Sequence, residues 1–298
     1  MNILLTGCNG QLGWELRRTL PLGQDYTIHA VDIDQLDITD AVAVAEQMDR
    51  TQPQLVINTA AYTAVDRAED DSDAADRVNH LGAAYLAREA VRVGARLIHI
   101  STDFVFDGQQ SHPYQPHDSP KPMGVYGRTK LAGERAVLSA TTGQALVIRT
   151  AWLYSAHGHN FPKTILRLLR QRPELGIVCD QVGTPTWARG LAQAIWRAVA
   201  QPQLTGVLHW SDAGACSWYD FAVAIQEEAE QCGVLAATGS TIKPIGSETY
   251  PLPASRPSYS VLDCRDSYRL LCMEPTHWRR ALRQMMTTAT AAELLVNI

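Results

Sequence analysis

Tyr126 and Lys130 stand four residues apart in Val125-Tyr126-Gly127-Arg128-Thr129-Lys130, and Ser101-Thr102-Asp103 closes an aliphatic run upstream of them. On a helix that spacing puts phenol and ammonium on one face. A phenol can hand its proton to an oxygen on which negative charge develops, provided a neighbouring ammonium lowers its ordinary pKa of about 10. Lys130 can do this and can also hydrogen-bond a ribose, while Thr102 can bond a substrate oxygen or tune the phenol. Reduction of a ketone needs such a set, because hydride arriving at carbon leaves an alkoxide to be protonated. The same spacing also describes an ordinary covered helix face, so the chemistry depends on a hydride source elsewhere in the chain.

That source is suggested at the N-terminus, where an apolar run leads into Gly7-Cys8-Asn9-Gly10-Gln11-Leu12-Gly13 and then a segment of helical character. Glycines there allow a tight turn and bring backbone N–H groups close to a diphosphate at the positive end of a helix. Asp32 follows the next strand, about twenty residues on, where a dinucleotide site carries its ribose-binding acid. Its carboxylate would accept from the 2′-hydroxyl of NADH and repel the 2′-phosphate of NADPH. Arg17 and Arg18 could offset that repulsion, which leaves NADPH or NADH as the cofactor.

These residues need a scaffold that gathers loops at one edge. Short aliphatic runs at Ile3 to Leu5, Thr27 to Val31, Leu55 to Asn58, Arg96 to Ser101 and Ala145 to Arg149 alternate with helical stretches, including one from Asp70 to Val93 and one from Thr129 to Ser139. The rhythm predicts an α/β fold, a Rossmann-type doubly wound parallel sheet over residues 1–150. Residues 151–298 then form mainly a smaller C-terminal substrate-binding lobe, with 178–200 a candidate to return to the sheet. The Pro- and Gly-rich stretch Asp107 to Met123 reads as a surface connection.

The 298 residues carry a net charge of −5, with no basic excess for nucleic acid or an anionic membrane. Neither a secretory leader nor a transmembrane span is read. The six cysteines lack the paired spacing of a zinc or redox motif, so a cytoplasmic protein with a small-molecule substrate is expected.

With LLTGCNGQLGWEL, VINTAAYTAVDRAE, STDFVFDG, VYGRTKLAGE, IRTAWLYSAHGHNF, DQVGTPT and ASRPSYSVLD, the chain resembles the extended short-chain dehydrogenases and, within them, the dTDP-4-dehydrorhamnose reductases. The resemblance implies that Gly10, Gln11 and Leu12 line the cofactor diphosphate, that Asp32, Asp37 and Ile38 surround the adenosine, and that Ala61, Tyr62 and Thr63 lie along the cofactor. It implies that Tyr126 and Lys130 complete that site and that Thr102, Asp103 and Trp152 contact a sugar nucleotide. The implied reaction reduces the 4-keto group of dTDP-4-dehydro-L-rhamnose to give dTDP-L-rhamnose. Another sugar-nucleotide reductase or epimerase, or a noncatalytic cofactor-sensing subunit, is the competing reading.

Two further residues have physical roles of their own. An indole at Trp152 could pack on the apolar face of a deoxysugar, and the planar fork of Arg256 could pair with a diphosphate. Asn160 reads chiefly as a helix start, with Lys163 a second candidate for the cleft wall. His157 and His159 lack a convincing third metal ligand. Some members of the resembled group join subunits through magnesium held by acidic side chains. Glu15 is kept here, but Arg189 follows DQVGTPT and a guanidinium repels a cation, so no metal is expected and a homodimer stays open.

Overall fold

The computed structural model describes residues 1–236 and 239–295. Five short strands, β1 (Asn2–Thr6), β2 (Thr27–Val31), β3 (Leu55–Asn58), β4 (Arg96–Thr102) and β5 (Leu146–Thr150), join an edge strand Gly206–His209 in one parallel sheet. Their aliphatic runs carry no inside-outside alternation because helices cover both faces: all five residues of β5 and all four of β3 are buried. Going outward from the edge strand the order is β5, β4, β3, β1 and β2. The chain thus crosses from one side of β1 to the other between β2 and β3. That crossing opens a crevice at the C-terminal ends of the strands, where ligands bind in such sheets.

Register brings those ends level, with Thr6 opposite Asn58 and Thr102 opposite Thr150. One apolar cluster lies on each face of the sheet, one including Leu16, Ile148 and Trp196 and the other Met48, Leu86 and Val147. A separate apolar cluster, around Tyr154, Leu166, Phe221 and Met285, gathers residues of the second half of the chain. The last main-sheet strand lies beyond 178–200. Within that span the helix Ala188–Val199 packs against the sheet cluster, and only two-residue strands precede it.

One predicted element differs from the structure. The stretch from Asp70 to Val93 is not one helix, because Asp71 ends Val65–Asp70 and caps Ser72–Asp76, and a π-helical turn, Arg77–Gly82, precedes Ala83–Arg92. The stretch Asp107 to Met123 is an irregular, mostly surface connection, as expected, and one side chain anchors it. Tyr114 is buried, stacks on Phe106 at 4.1 Å and hydrogen-bonds Asp107, while its backbone bridges to Leu262. Among the described residues no helix is long and apolar enough to cross a membrane.

Candidate active site

A cleft of about 910 Å³ runs along the strand ends. It gathers Gly7, Gly10, Gln11, Leu12, Gly13, Asp32, Asp37, Ile38, Ala61, Tyr62, Thr63, Thr102, Asp103, Tyr126, Lys130, Trp152 and Arg256, but neither Asn160 nor Lys163.

At one end lies the glycine loop. Gly7 has φ +69°, and a Cβ there would stand 2.7 Å from the Ala60 backbone nitrogen. A Cβ at Gly13 would stand 2.3 Å from the Gly7 carbonyl oxygen. Only glycine lets the turn after β1 press against the chain leaving β3 and against its own helix. Gly10 opens the helix Gln11–Arg18 without a side-chain cap, so the first N–H groups of that helix have no capping acceptor at the cleft. This cradle fits a dinucleotide diphosphate.

Asp32 sits beside it, and its carboxylate accepts from Asn9 N at 2.8 Å and Ile33 N at 2.9 Å. Neither Arg17 nor Arg18 lines the cleft; Arg18 lies over the Trp14 ring at 4.2 Å and faces Glu293 at 3.8 Å. The offsetting cation considered from sequence is therefore turned away from Asp32. A residue that sequence reasoning missed stands behind Tyr62 of the cleft lining. Buried Asn79, in the π-helical turn, accepts from Tyr62 N at 2.9 Å and donates to Tyr62 O at 3.2 Å and to Thr129 Oγ1 at 3.1 Å. It ties the 61–63 segment to the helix bearing Tyr126 and Lys130. No local pattern marks an asparagine whose partners lie 17 and 50 residues away.

Tyr126 and Lys130 lie in the helix Val125–Ala140. Val125 N donates to Glu69 Oε1 at 2.7 Å, which fixes the helix start to the wall of the cleft. Lys130 is 2 % exposed and donates to the Ile100 carbonyl at 2.6 Å. Burial lowers its ammonium to about 8, against the upward pull of Glu134. Burial pushes the Tyr126 phenol up to about 12, with hydrogen bonding to Thr102 pulling it down and the Asp103 charge pushing it up. This corrects the sequence expectation. Lys130 is turned to a backbone carbonyl, and desolvation, not the ammonium, dominates the phenol. A phenol held that high is protonated at neutral pH, the state a proton donor requires.

Thr102 donates to Asp103 Oδ1 at 3.0 Å and accepts from Phe104 N at 3.2 Å. Burial pushes the Asp103 carboxyl up to about 6, while the hydroxyls of Ser260 and Thr102 work against it. Both side chains are thus locked by the turn after β4, which presents them at the level of Tyr126.

Trp152 follows β5 with φ +45°, a left-handed conformation that costs a non-glycine residue strain. Its indole stacks on Trp218 with centroids 3.5 Å apart and planes 6° from parallel. The sequence gives no local sign of this partner. Arg256 lines the cleft, but its fork already meets Asp66, at 3.0 and 2.8 Å, and it also donates to Ala254 O at 3.0 Å. The ion pair holds the Asp66 carboxyl below its usual range.

The remaining candidates take quieter positions. Asn160 caps the helix Phe161–Gln171 by accepting from Lys163 N at 3.1 Å, and donates to Gln11 Oε1 at 3.0 Å. Lys163 is buried with its ammonium on Ala156 O. His157 stacks on Trp14 and hydrogen-bonds Asn9 O at 2.9 Å, whereas His159 lines the cleft. Glu15 is buried, accepts from Ser155 at 3.1 Å, and is raised by burial.

The family described as RmlD substrate binding domain matches residues 1–291. The chain belongs to this family. A dTDP-4-dehydrorhamnose reductase of Mycobacterium tuberculosis is 43% identical over 298 residues, covering 97% of this chain and 92% of that protein. A crystal structure of a dTDP-4-dehydrorhamnose reductase from Clostridium acetobutylicum superposes with TM-score 0.90 at 38% identity, covering 97% of this chain and 99% of that one. One from Bacillus anthracis, in complex with NADP, does so with TM-score 0.90 at 34% identity and the same coverage. The RmlD family thus joins the glycine cradle, the Tyr126 helix and the second-half cluster in one unit spanning nearly the whole chain.

Proposed function

We propose that this RmlD-family protein reduces the 4-keto group of dTDP-4-dehydro-L-rhamnose to the alcohol of dTDP-L-rhamnose with NADPH or NADH. The observation that carries this reading is the single cleft in which the glycine cradle meets Thr102, Tyr126 and Lys130 at the strand ends. Gly7, Gly10 and Gly13 shape the cradle for the cofactor diphosphate, and Asp32, Asp37 and Ile38 line the adenosine end. Bound there, the reduced nicotinamide supplies a hydride to the substrate C4. Tyr126 gives its proton to the O4 alkoxide, so the ketone gains one hydride and one proton and becomes a secondary alcohol. Thr102 orients the same oxygen. Lys130, charged below about pH 8 and four residues along the same helix, is placed to hydrogen-bond the nicotinamide ribose. Trp152 and Asp103 contact the sugar, and Arg256 stands at the cleft wall for the diphosphate. The six cysteines are all free, in keeping with a reducing compartment such as the cytoplasm.

A panel of 4-keto sugar nucleotides offered with each cofactor tests this reading. The expected result is stoichiometric nicotinamide oxidation with the dTDP sugar and a 4-hydroxyl product. Turnover with another nucleotide alone would reject the dTDP assignment, and product formation without net cofactor oxidation would make the enzyme an epimerase.

A further inference from the structure

Two segments distant in sequence converge on the indole of Trp152. Trp218 covers one of its faces at 3.5 Å, and a Cβ at Gly183 would stand 2.5 Å from its Cε2 and 2.7 Å from its Nε1. Gly183 and Trp218 are held together by backbone pairing, Cys216 opposite Gly183 and Ser217 opposite Val182. Trp218 begins the helix Trp218–Gln231, whose start is fixed by a capping box between Ser217 and Asp220. Phe161 tilts against Trp218 at 4.6 Å. Trp152 and Trp218 are both half-buried, and both line the cleft. A strained backbone, a glycine that makes room and a fixed second indole together leave Trp152 one place to be.

We propose that Trp218 is a further specificity determinant: it backs Trp152 so that the two indoles form one rigid apolar wall for the sugar ring of the nucleotide substrate. This rests on the reductase reading above. Trp218 covers one face of Trp152, and the indole surface the stacked pair leaves open to the cleft carries no hydrogen-bond acceptor, suited to the C–H-rich side of a deoxysugar. Neither Asp32 nor the cradle glycines take part in these contacts, and the reductase reading puts Trp152 on the sugar, so the wall is assigned to the sugar. Trp218 is a positioning residue as much as a contact: it fixes Trp152 before substrate arrives, which lowers the ordering cost of binding.

Trp218→Phe keeps a stacking plane, and Trp218→Leu keeps apolar bulk without one. The expected result is that the Leu variant raises KM for the keto-sugar nucleotide roughly tenfold relative to Phe, the scale of a lost aromatic pair. Its kcat stays within about threefold, and calorimetric affinities for dTDP alone and for NADH are unchanged. A purely structural role would move all these readouts together or treat Phe and Leu alike. Wild-type turnover with Leu and Phe variants of equal KM, or with dTDP and NADH affinities falling in step, overturns this inference alone. A wild-type protein without keto-sugar reduction overturns the functional reading, and this inference with it.

Discussion

Lys130 reaches back from its helix to the Ile100 carbonyl, a contact of 2.6 Å that ties the ammonium to the strand ending at Thr102. Desolvation there lowers the lysine to about 8, while Tyr126 is raised to about 12. The ammonium loses its proton as pH rises through about 8, well before the phenol titrates. Reductive kcat/KM should therefore be level below pH 8 and fall above it, with no limb near 10 from a free tyrosine. A pH profile of NADH oxidation checks this, and Lys130→Met should lower turnover and abolish the limb at 8.

Gly13 cannot carry a side chain without meeting the Gly7 carbonyl at 2.3 Å and Cys8 Cα at 2.6 Å, both backbone atoms. Gly13→Ala must deform the cradle. Strain on the order of 1–3 kcal/mol corresponds to cofactor binding weakened by about 5- to 150-fold. Titration calorimetry with NADH measures it, with circular dichroism to show the fold retained.

Asp32 turns both carboxylate oxygens to backbone N–H groups, and among the described residues the only Lys or Arg side chains lining the cleft are Lys130 and Arg256. Nothing cationic in the cleft lining beside Asp32 offsets its repulsion of a 2′-phosphate. Asp32→Ala should shift the NADPH to NADH ratio of kcat/KM upward by roughly tenfold, the scale of one like-charge contact near a surface. Paired kinetics with the two cofactors decides it.

Arg149 and Glu134 form a buried bidentate pair at 2.9 and 2.7 Å, with Arg149 also reaching Pro116 O. It joins β5 to the Tyr126 helix and to the 107–123 stretch. Arg149→Met leaves a buried carboxylate without its partner and should cost about 3–5 kcal/mol in urea unfolding. Adding Glu134→Leu should recover much of that loss.

What could be read from sequence divides by range. The strands, the glycine loop and the Tyr126–Lys130 spacing are local patterns, and all of them meet in the cleft. Asn79, Trp218 and the Arg149–Glu134 pair were invisible because each acts through partners that only the folded chain brings near. The expected single helix from Asp70 to Val93 failed for the same reason. Its apolar spacing is helical throughout, but the π-helical turn that carries Asn79 to Tyr62 and Thr129 is set by tertiary contacts. Arg256 lines the cleft, and its Asp66 partner, 190 residues away, could not be read from the local sequence. The pull of Lys130 on Tyr126 was expected from charge alone, and burial outweighs it.

The proton-donor role of Tyr126 is tested most directly by Tyr126→Phe, which keeps the ring that packs edge-on against Phe104 at 5.6 Å and removes only the hydroxyl. Keto-sugar-dependent oxidation of NADH should fall by a factor of about 10² to 10⁴, the range of a lost general acid, while calorimetric NADH affinity stays within about twofold. Turnover in the variant equal to that of the wild type would contradict the account.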